Sequence, residues 1–217
     1  ISVCFMNISF CNVVPMPMKE VLGNSHIWQQ NIQIQAGSCN QIVAPSGTGK
    51  TSLIHFLYGI RSDFEGVIEF DSTSIQSFSV KQWSQYRTQK ISIVFQGLRL
   101  FAELDVMENI QIKNKRTNYK TVSQIHQLLD AVGMMPHIHK KAGILSYGQQ
   151  QRVAIVRALC QPFELLLLDE PFSHLDNMNA QAAFECIYNE VQLQQATIVL
   201  TALQLVSLNS SMHVYSL

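Results

Sequence analysis

The 217 residues carry no formal net charge at neutral pH, because 15 Lys and Arg balance 15 Asp and Glu. The scattered basic residues form no positive stripe, which argues against nucleic acid as the main partner. Charged residues make up only 14% of the chain and hydrophobic residues 47%, a balance that favours surfaces covered by partner proteins.

Five widely spaced cysteines without a C-x-x-C pair indicate a reducing compartment. No stretch resembles a signal peptide, and no apolar run approaches the roughly 20 residues that a membrane helix needs. We therefore expect a chain that does not cross a membrane by itself. Its length suits one large domain or a core with an inserted lobe.

The N-terminal third predicts the strands of an antiparallel layer. Apolar residues alternate loosely from 1 to 10 and cleanly from 31 to 35, and a further alternating strand covers 66–70. Between them, residues 41–43 predict a short buried strand that leads into a Gly-rich loop and then into a helix over 51–58.

A short helix over 79–87, capped by Ser79, precedes a strand over 91–95. From 97 to 161 the pattern is helical, with helices over 122–132 and 147–160 and no strong strand. We interpret this stretch as an inserted helical lobe.

Leu165–Leu168 is a continuous apolar run, typical of a strand buried on both faces. A helix over 180–192, a strand over 198–200 and an edge strand over 212–217 follow. The chain is thus predicted to be a single α/β domain, divided into a β layer and phosphate-loop core (1–96), the helical lobe (97–161) and the return to the core (162–217).

A phosphate-binding loop joins the predicted strand at 41–43 to the helix at 51–58. Small residues let backbone N–H groups converge on oxyanions, the helix N-terminus adds a favourable dipole, Lys50 reaches the β- and γ-phosphates, and the Thr51 hydroxyl can bind Mg²⁺. Ala44 takes the place of the motif's first glycine. The predicted nucleotide-binding residues are Pro45, Ser46, Gly47, Thr48, Gly49, Lys50 and Thr51.

Two adjacent carboxylates, Asp169 and Glu170, close the apolar run. Successive strand residues point in opposite directions, so Asp169 is placed to hold Mg²⁺ while Glu170 faces the γ-phosphate as a general base. The alternative is a pair of solvated loop acids, and the phosphate loop upstream favours the functional interpretation.

The stretch from Leu145 to Arg152 reads LSYGQQQR, and Ser146 stands where a helix begins. Its hydroxyl and the N–H groups that follow form a second anion site. Taken alone, this is an ordinary helix cap. It becomes informative only together with the other motifs.

In order and spacing, these motifs resemble the nucleotide-binding subunit of an ATP-binding cassette (ABC) transporter. They are the phosphate loop, Gln96 after a Val-Phe strand, the L-S-Y-G-Q signature, the Leu-run ending in Asp169-Glu170, and the segment from Ser173 to Asp176. Residues 95–109 are similar to the lipoprotein-release, macrolide-export and cell-division branch. The fold that this resemblance implies is a P-loop NTPase (RecA-like) core with an antiparallel layer and an inserted helical subdomain.

The resemblance also implies a function. ATP and Mg²⁺ are the expected cofactors: Lys50, Gln96 and Glu170 would be catalytic, while Thr51, Gln96 and Asp169 would organise the metal. Two subunits would pack head to tail, as a homodimer or with a paired ATPase subunit, so that Ser146, Gly148 and Gln149 of one cover the ATP of the other. Hydrolysis would power a separate integral-membrane permease from the cytoplasmic face of the plasma or inner membrane, where the chain would be peripheral.

Three positions depart from the family pattern. Ala202 stands where the family has a histidine that senses the γ-phosphate, Asn12 stands where an aromatic residue stacks on adenine, and Tyr147 replaces the second glycine of the signature. Loss of a stacked base costs roughly 1–3 kcal/mol in nucleic-acid proteins, and we expect a similar cost here. These departures make ATP binding a firmer expectation than hydrolysis.

Two rival functions follow. An ATP-gated dimerisation module with little hydrolysis is favoured by Ala202 and Asn12 and opposed by Glu170. A chromosome-organising or repair ATPase shares both motifs, but such proteins carry long heptad repeats between them, and this sequence has none.

Three histidines suggest weaker hypotheses. His137 and His139 form an H-x-H pair, yet no Cys or acid cluster supports a metal site, and a solvated loop is the expected structure. His174 lies in the segment expected at the dimer interface, where a structural polar contact is expected rather than a substitute sensor.

Overall fold

A computed structural model of the chain describes residues 6–19, 25–206 and 212–217. Within these ranges the strands are β1 (Ile8–Pro15), β2 (Asn31–Ile34), β3 (Cys39–Val43), β4 (Phe64–Phe70), β5 (Thr73–Ser74), β6 (Ile91–Val94), β7 (Leu165–Asp169), β8 (Thr197–Ala202) and β9 (His213–Ser216). The α-helices are α1 (Lys50–Leu57), α2 (Val80–Gln89), α3 (Val106–Asn114), α4 (Val122–Ala131), α5 (Tyr147–Leu159) and α6 (Asn177–Gln194).

The first sheet is antiparallel, in the order β2-β1-β4-β5. Ile8 pairs with Ile34 of β2 and with Phe70 of β4, so the apolar side chains of three strands share one face. This confirms the antiparallel layer that the alternating patterns predicted.

The first strand was predicted over 1–10, and only its second half falls on described residues. There β1 starts at Ile8, after Met6 and Asn7, while residues 1–5 lie outside the described part of the chain. The strand continues to Pro15 through a bulge between Cys11 and Val14, in which Asn12 adopts a left-handed backbone with φ of 50°. Asn12 therefore lies inside a strand, and not in a loop after it.

The second sheet is parallel, in the order β6-β7-β8-β3-β9. Its strand β7 is buried along its whole length, which confirms the prediction from the leucine run. Alternate residues point to opposite faces: Leu165 and Leu167 pack towards α1 and the antiparallel layer, whereas Leu166 and Leu168 pack towards α5 and α6. β9 lies at the sheet edge, as predicted.

Between β6 and β7 the described elements are helical, in line with the expected helical character of this stretch. Helix α3 was not predicted as a separate element, and α6 is longer at both ends than the predicted 180–192. Four helices begin with a reciprocal capping box, in which a Ser, Thr or Asp side chain and a Gln or Glu three residues later satisfy each other's N–H groups. The pairs are Ser79–Gln82, Asp105–Glu108, Thr121–Gln124 and Ser146–Gln149.

Because the strands of the second sheet are parallel, their carboxyl ends meet at one edge. The phosphate loop follows β3, Gln96 follows β6, Glu170 follows β7, and Ala202 ends β8. This edge of the sheet is where an open α/β fold binds its ligand.

Candidate functional site

The phosphate loop runs from the end of β3 to the start of α1. Gly47 and Gly49 have φ values of 83° and 94°, which a residue with a Cβ adopts only with strain. Ala44 has no such backbone conformation and is buried at 3% exposure, so the methyl group fits where the motif has glycine. The substitution at the first motif position therefore leaves the loop geometry intact.

Lys50, at the first turn of α1, has only 5% of its surface exposed. Its Nζ donates to the carbonyl oxygens of Ala44 (2.7 Å) and Pro45 (2.8 Å). The same Nζ lies 3.4 Å from Oε1 of Glu170, forming a largely buried ion pair. Since a buried ammonium without an anionic partner is costly, Glu170 stabilises the Lys50 charge in this arrangement.

Glu170 follows β7 and has a left-handed backbone with φ of 49°. Such a conformation costs about 1–3 kcal/mol for a residue other than glycine, and it persists only where the surroundings hold it. The N–H of Glu170 donates to the Thr201 carbonyl oxygen at 3.1 Å, which anchors the turn to β8. Asp169 points elsewhere: it is 2% exposed, and its Oδ1 accepts the Thr201 hydroxyl at 2.8 Å.

Gln96 lies beyond the end of β6, the strand that pairs with β7. Its Nε2 donates to Oε2 of Glu170 at 3.4 Å. Glu170 thus has Lys50 on one carboxylate oxygen and Gln96 on the other. The three side chains that the sequence nominated as catalytic converge on this carboxylate.

The residues predicted to organise Mg²⁺ supply a hydroxyl (Thr51), an amide oxygen (Gln96) and a carboxylate (Asp169). These are the hard oxygen donors that Mg²⁺ prefers, and such sites take further ligands from substrate phosphates. No cluster of three His, Cys, Asp or Glu residues occurs in the part of the chain that the structure describes. The donor set fits Mg²⁺ better than a metal that needs nitrogen or sulfur ligands.

Only one histidine of the H-x-H pair has the solvated environment that the sequence predicted. His139 is exposed, with its Nδ1 3.8 Å from Oδ2 of Asp105. His137 is only partly exposed, and its Nε2 lies 3.3 Å from Nε2 of Gln149 in the signature. His137 therefore supports the signature helix.

The signature residues form the start of α5. Ser146 caps the helix: its Oγ accepts the Gln149 N–H at 3.3 Å, and its own N–H donates to Oε1 of Gln149 at 2.9 Å. Gly148 packs against the segment after β7, where a Cβ would lie 2.8 Å from the His174 carbonyl oxygen. A glycine is needed there because a side chain would collide with backbone.

Sequence reasoning missed two buried residues that support the site. Trp28 donates from Nε1 to the Thr48 carbonyl oxygen at 3.2 Å, and a Cβ on Gly49 would lie 3.2 Å from its ring. Gln151 donates from Nε2 to the Glu170 carbonyl oxygen at 3.1 Å and accepts the His174 N–H at 3.3 Å. The repeated glutamines after the signature were a visible signal for Gln151, whereas no motif marked Trp28.

One histidine near the site has a lowered pKa. Burial lowers the pKa of His55 on α1, with Asp169 opposing and Arg99 and Arg61 reinforcing the shift. The His55 ring packs edge-on against Phe95, 6.2 Å between centroids. His55 thus packs against the residue that precedes Gln96.

A cavity of about 650 Å³ adjoins the site and is lined in part by Glu170, Thr201 and Ala202. The family's histidine would stand at this last position, so its replacement by alanine leaves open space beside the Glu170 carboxylate. Across the described ranges, no helix combines the length and the apolar character that a membrane span requires.

A glycine-rich loop at the carboxyl edge of a parallel sheet, with a lysine and paired acids beside it, defines a phosphate-loop nucleotide-binding protein. The family model for ABC transporters matches residues 28–173, and the chain belongs to this family. It is an ATP-binding ATPase subunit of the ABC type.

Two curated relatives are lipoprotein-releasing system ATP-binding proteins. The chain is 35% identical over 161 residues to LolD of Buchnera aphidicola, across 73% of this chain and 70% of that protein. It is 31% identical over 186 residues to LolD 1 of Rhodopirellula baltica, across 84% and 81% of the two chains. An uncharacterized ABC transporter ATP-binding protein of Mycobacterium tuberculosis is 32% identical, but the match spans 53% of its length. The two lipoprotein-releasing relatives agree with the resemblance to the lipoprotein-release branch.

Among solved structures, the dimeric cassette MJ0796, a bacterial ABC transporter cassette, has a TM-score of 0.77. The match covers 91% of this chain and 88% of that one at 23% identity. It confirms the predicted fold class, with a mixed α/β core, an antiparallel layer and a helical region.

Proposed function

We propose that this chain hydrolyses ATP with Mg²⁺ and delivers the energy to a separate integral-membrane permease, as a peripheral subunit on the cytoplasmic face of the membrane. The apolar composition supports a partner-covered surface, and the relatives named for lipoprotein release support the transporter branch. Substrate selection would reside in the permease.

The observation that carries this proposal is the contact set of Glu170. One carboxylate oxygen faces Lys50 at 3.4 Å and the other faces the Gln96 amide at 3.4 Å. A γ-phosphate bound in the loop would offer Lys50 a stronger anionic partner than the carboxylate. Glu170 would then be released from the ion pair to serve as the base.

In the hydrolysis step, Glu170 accepts a proton from the attacking water, whose oxygen forms a bond to the γ-phosphorus as the bond to the ADP oxygen breaks. Lys50 and the N–H groups of the loop stabilise the charge on the phosphate oxygens. Thr51, Gln96 and Asp169 would hold Mg²⁺, which when bound neutralises phosphate charge. Gln96 orients the carboxylate through its amide.

Phosphate release by the purified chain with ATP and Mg²⁺ tests this function. We expect slow but measurable turnover that Glu170→Gln lowers by about 10²- to 10⁴-fold, the usual contribution of a general base. Glu185→Gln is the matched control, because this exposed residue lies on α6, where its Oε1 accepts a hydrogen bond from the exposed neighbour Gln181 at 2.9 Å.

An unchanged rate in Glu170→Gln would contradict the catalytic assignment. If ATP still bound by calorimetry, the ATP-gated dimerisation module would become the better interpretation. Loss of binding in Lys50→Ala, with retained folding, would then still locate the nucleotide in the phosphate loop.

A further inference from the structure

Tyr147, which replaces a glycine of the family signature, makes a specific contact with the loop of Gln96. Its hydroxyl donates to the Gln96 carbonyl oxygen at 2.8 Å. Its ring packs edge-on against His174, with centroids 4.4 Å apart. A glycine at this position would make neither contact.

The turn after Gln96 needs support because its backbone is strained. Leu98 and Arg99 are both left-handed, with φ values of 53° and 50°. Two consecutive residues other than glycine in this conformation persist only where the surroundings hold them. The carbonyl oxygen of Gln96 lies at the start of this turn.

The far side of the same turn is held by Arg157, which is 9% exposed. Its guanidinium donates to the carbonyl oxygens of Leu98 at 2.6 Å and Arg99 at 2.7 Å. Arg157 belongs to α5, the helix that Tyr147 begins. Helix α5 therefore donates hydrogen bonds to both ends of this turn.

Helix α5 also holds the catalytic glutamate. Gln151, one turn after Tyr147, donates to the Glu170 carbonyl oxygen at 3.1 Å. The signature helix therefore contacts the backbone carbonyl oxygens of both Gln96 and Glu170 in its own subunit. The side chains of these two residues lie 3.4 Å apart.

We propose that Tyr147 is a positioning residue for hydrolysis: its hydroxyl fixes the Gln96 backbone, and thereby the Gln96 amide against Glu170. This inference rests on the proposed roles of Gln96 and Glu170. The glycine that the family has at this position cannot make this hydrogen bond. In this chain a movement of the signature would therefore move Gln96 at the hydrolysis site of the same subunit.

The test is Tyr147→Phe, which keeps the ring on His174 and removes only the hydroxyl. We expect kcat to fall about three- to tenfold, the usual effect of one hydrogen bond, with the Kd for ATP unchanged. Tyr188→Phe on α6 is the matched control, since its ring packs on Phe184 at 5.9 Å. It should keep the wild-type kcat.

A second arm separates positioning from a general loss of structure. If Tyr147 acts through the Gln96 side chain, Tyr147→Phe should have no further effect on kcat in a Gln96→Ala background. An equal fall in both backgrounds, or an unchanged kcat in Tyr147→Phe, would overturn the inference. If Glu170→Gln itself leaves phosphate release unchanged, the proposed function has failed instead.

Discussion

At the scale of single residues, Glu170 shows how a site is assembled from contacts that each have a cost. Its backbone is strained, with φ of 49°, and its carboxylate is nearly buried beside Lys50. The ion pair and the Thr201 hydrogen bond offset these costs in the described conformation. In the proposed mechanism, a bound phosphate would compete for Lys50 and would so link nucleotide binding to the activation of Glu170 as the base.

Ala202 gives a prediction at the same scale. Ala202→His places an imidazole beside the cavity that Glu170 and Thr201 line, where it would contact the γ-phosphate. Because a hydrogen bond to a charged group is worth roughly 1.5–3 kcal/mol, we expect phosphate release to be about 10- to 150-fold faster. Ala202→Leu, which fills the space without a hydrogen bond, is the control. An equal rise in the leucine variant would show that packing, and not phosphate contact, is responsible.

Lys113 predicts a pH dependence of stability. Burial, followed by the nearby Arg157, Arg116 and Arg87, lowers its pKa from 10.5 to about 8. Below about pH 8 the lysine is charged in both states, and the folded protein bears the full burial penalty. Between about pH 8 and 10.5 the unfolded chain keeps the proton that the folded protein has lost, so the free energy of unfolding rises with pH.

Lys113→Met removes this titration. We expect the variant to be the more stable protein at pH 7 and its advantage to shrink as pH rises from 8 to 10, measured by urea unfolding. Groups that do not interact with Lys113 titrate alike in both proteins, so their effects cancel in the difference between the two. Lys81→Met, at an exposed position of α2, is the control for exchanging a lysine for a methionine. A constant difference for Lys113→Met would refute the prediction.

At the scale of elements, the residues at the helix N-termini determine where several helices of this chain begin. Four capping boxes set the first residues of α2, α3, α4 and α5. In α5 the box coincides with the signature, so the same serine that starts the helix is the one nominated to face a partner's ATP. Local helix formation and the functional motif therefore depend on one side chain.

Thr121→Ala tests how much such a cap contributes. Thr121 accepts the Gln124 N–H at 3.2 Å, and α4 inserts the buried Ile125 and Leu129 into the lobe. We expect the free energy of unfolding to fall by about 1 kcal/mol, measured in urea. Ser123→Ala, exposed in the first turn of the same helix, should have no destabilising effect because alanine has the higher helix propensity. Equal losses in both variants would argue against the cap.

At the scale of the whole molecule, one edge of the parallel sheet gathers the site. The phosphate loop, Gln96 and Glu170 follow three different strands, and the signature helix approaches from the stretch between two of them. Ser146, however, makes its described contacts with its own helix start and none with Lys50 or Glu170. This separation supports a site that is completed by a second subunit.

The assembly prediction follows from that separation. With ATP and Mg²⁺, Glu170→Gln should accumulate as a dimer, with light scattering showing a shift from 24.5 kDa towards twice that mass. Adding Ser146→Arg should abolish the shift, because a bulky cation blocks closure of the signature over the partner's site. Ser84→Arg, on the exposed surface of α2, is the control. A persistent dimer with Ser146→Arg would contradict the head-to-tail arrangement.

Much of this protein is determined by local sequence. The phosphate loop needs glycines at two positive φ values, Leu165–Leu168 has no polar face to expose, and each capping box lies within four residues. Motif order was enough to predict the fold class and the family. Such features depend on neighbours in sequence, which is why a single chain reveals them.

The remaining features were decided by tertiary structure. Nothing local marks Trp28 as the residue that packs on Gly49, Arg157 as the clamp of the Leu98–Arg99 turn, or Tyr147 as a donor to Gln96. The bulge that turns Asn12 into a left-handed strand residue is likewise set by its pairing with β4. Each of these contacts joins residues more than 20 positions apart, so it exists only once the sheets and α5 have packed, and no periodicity or motif in the sequence encodes it.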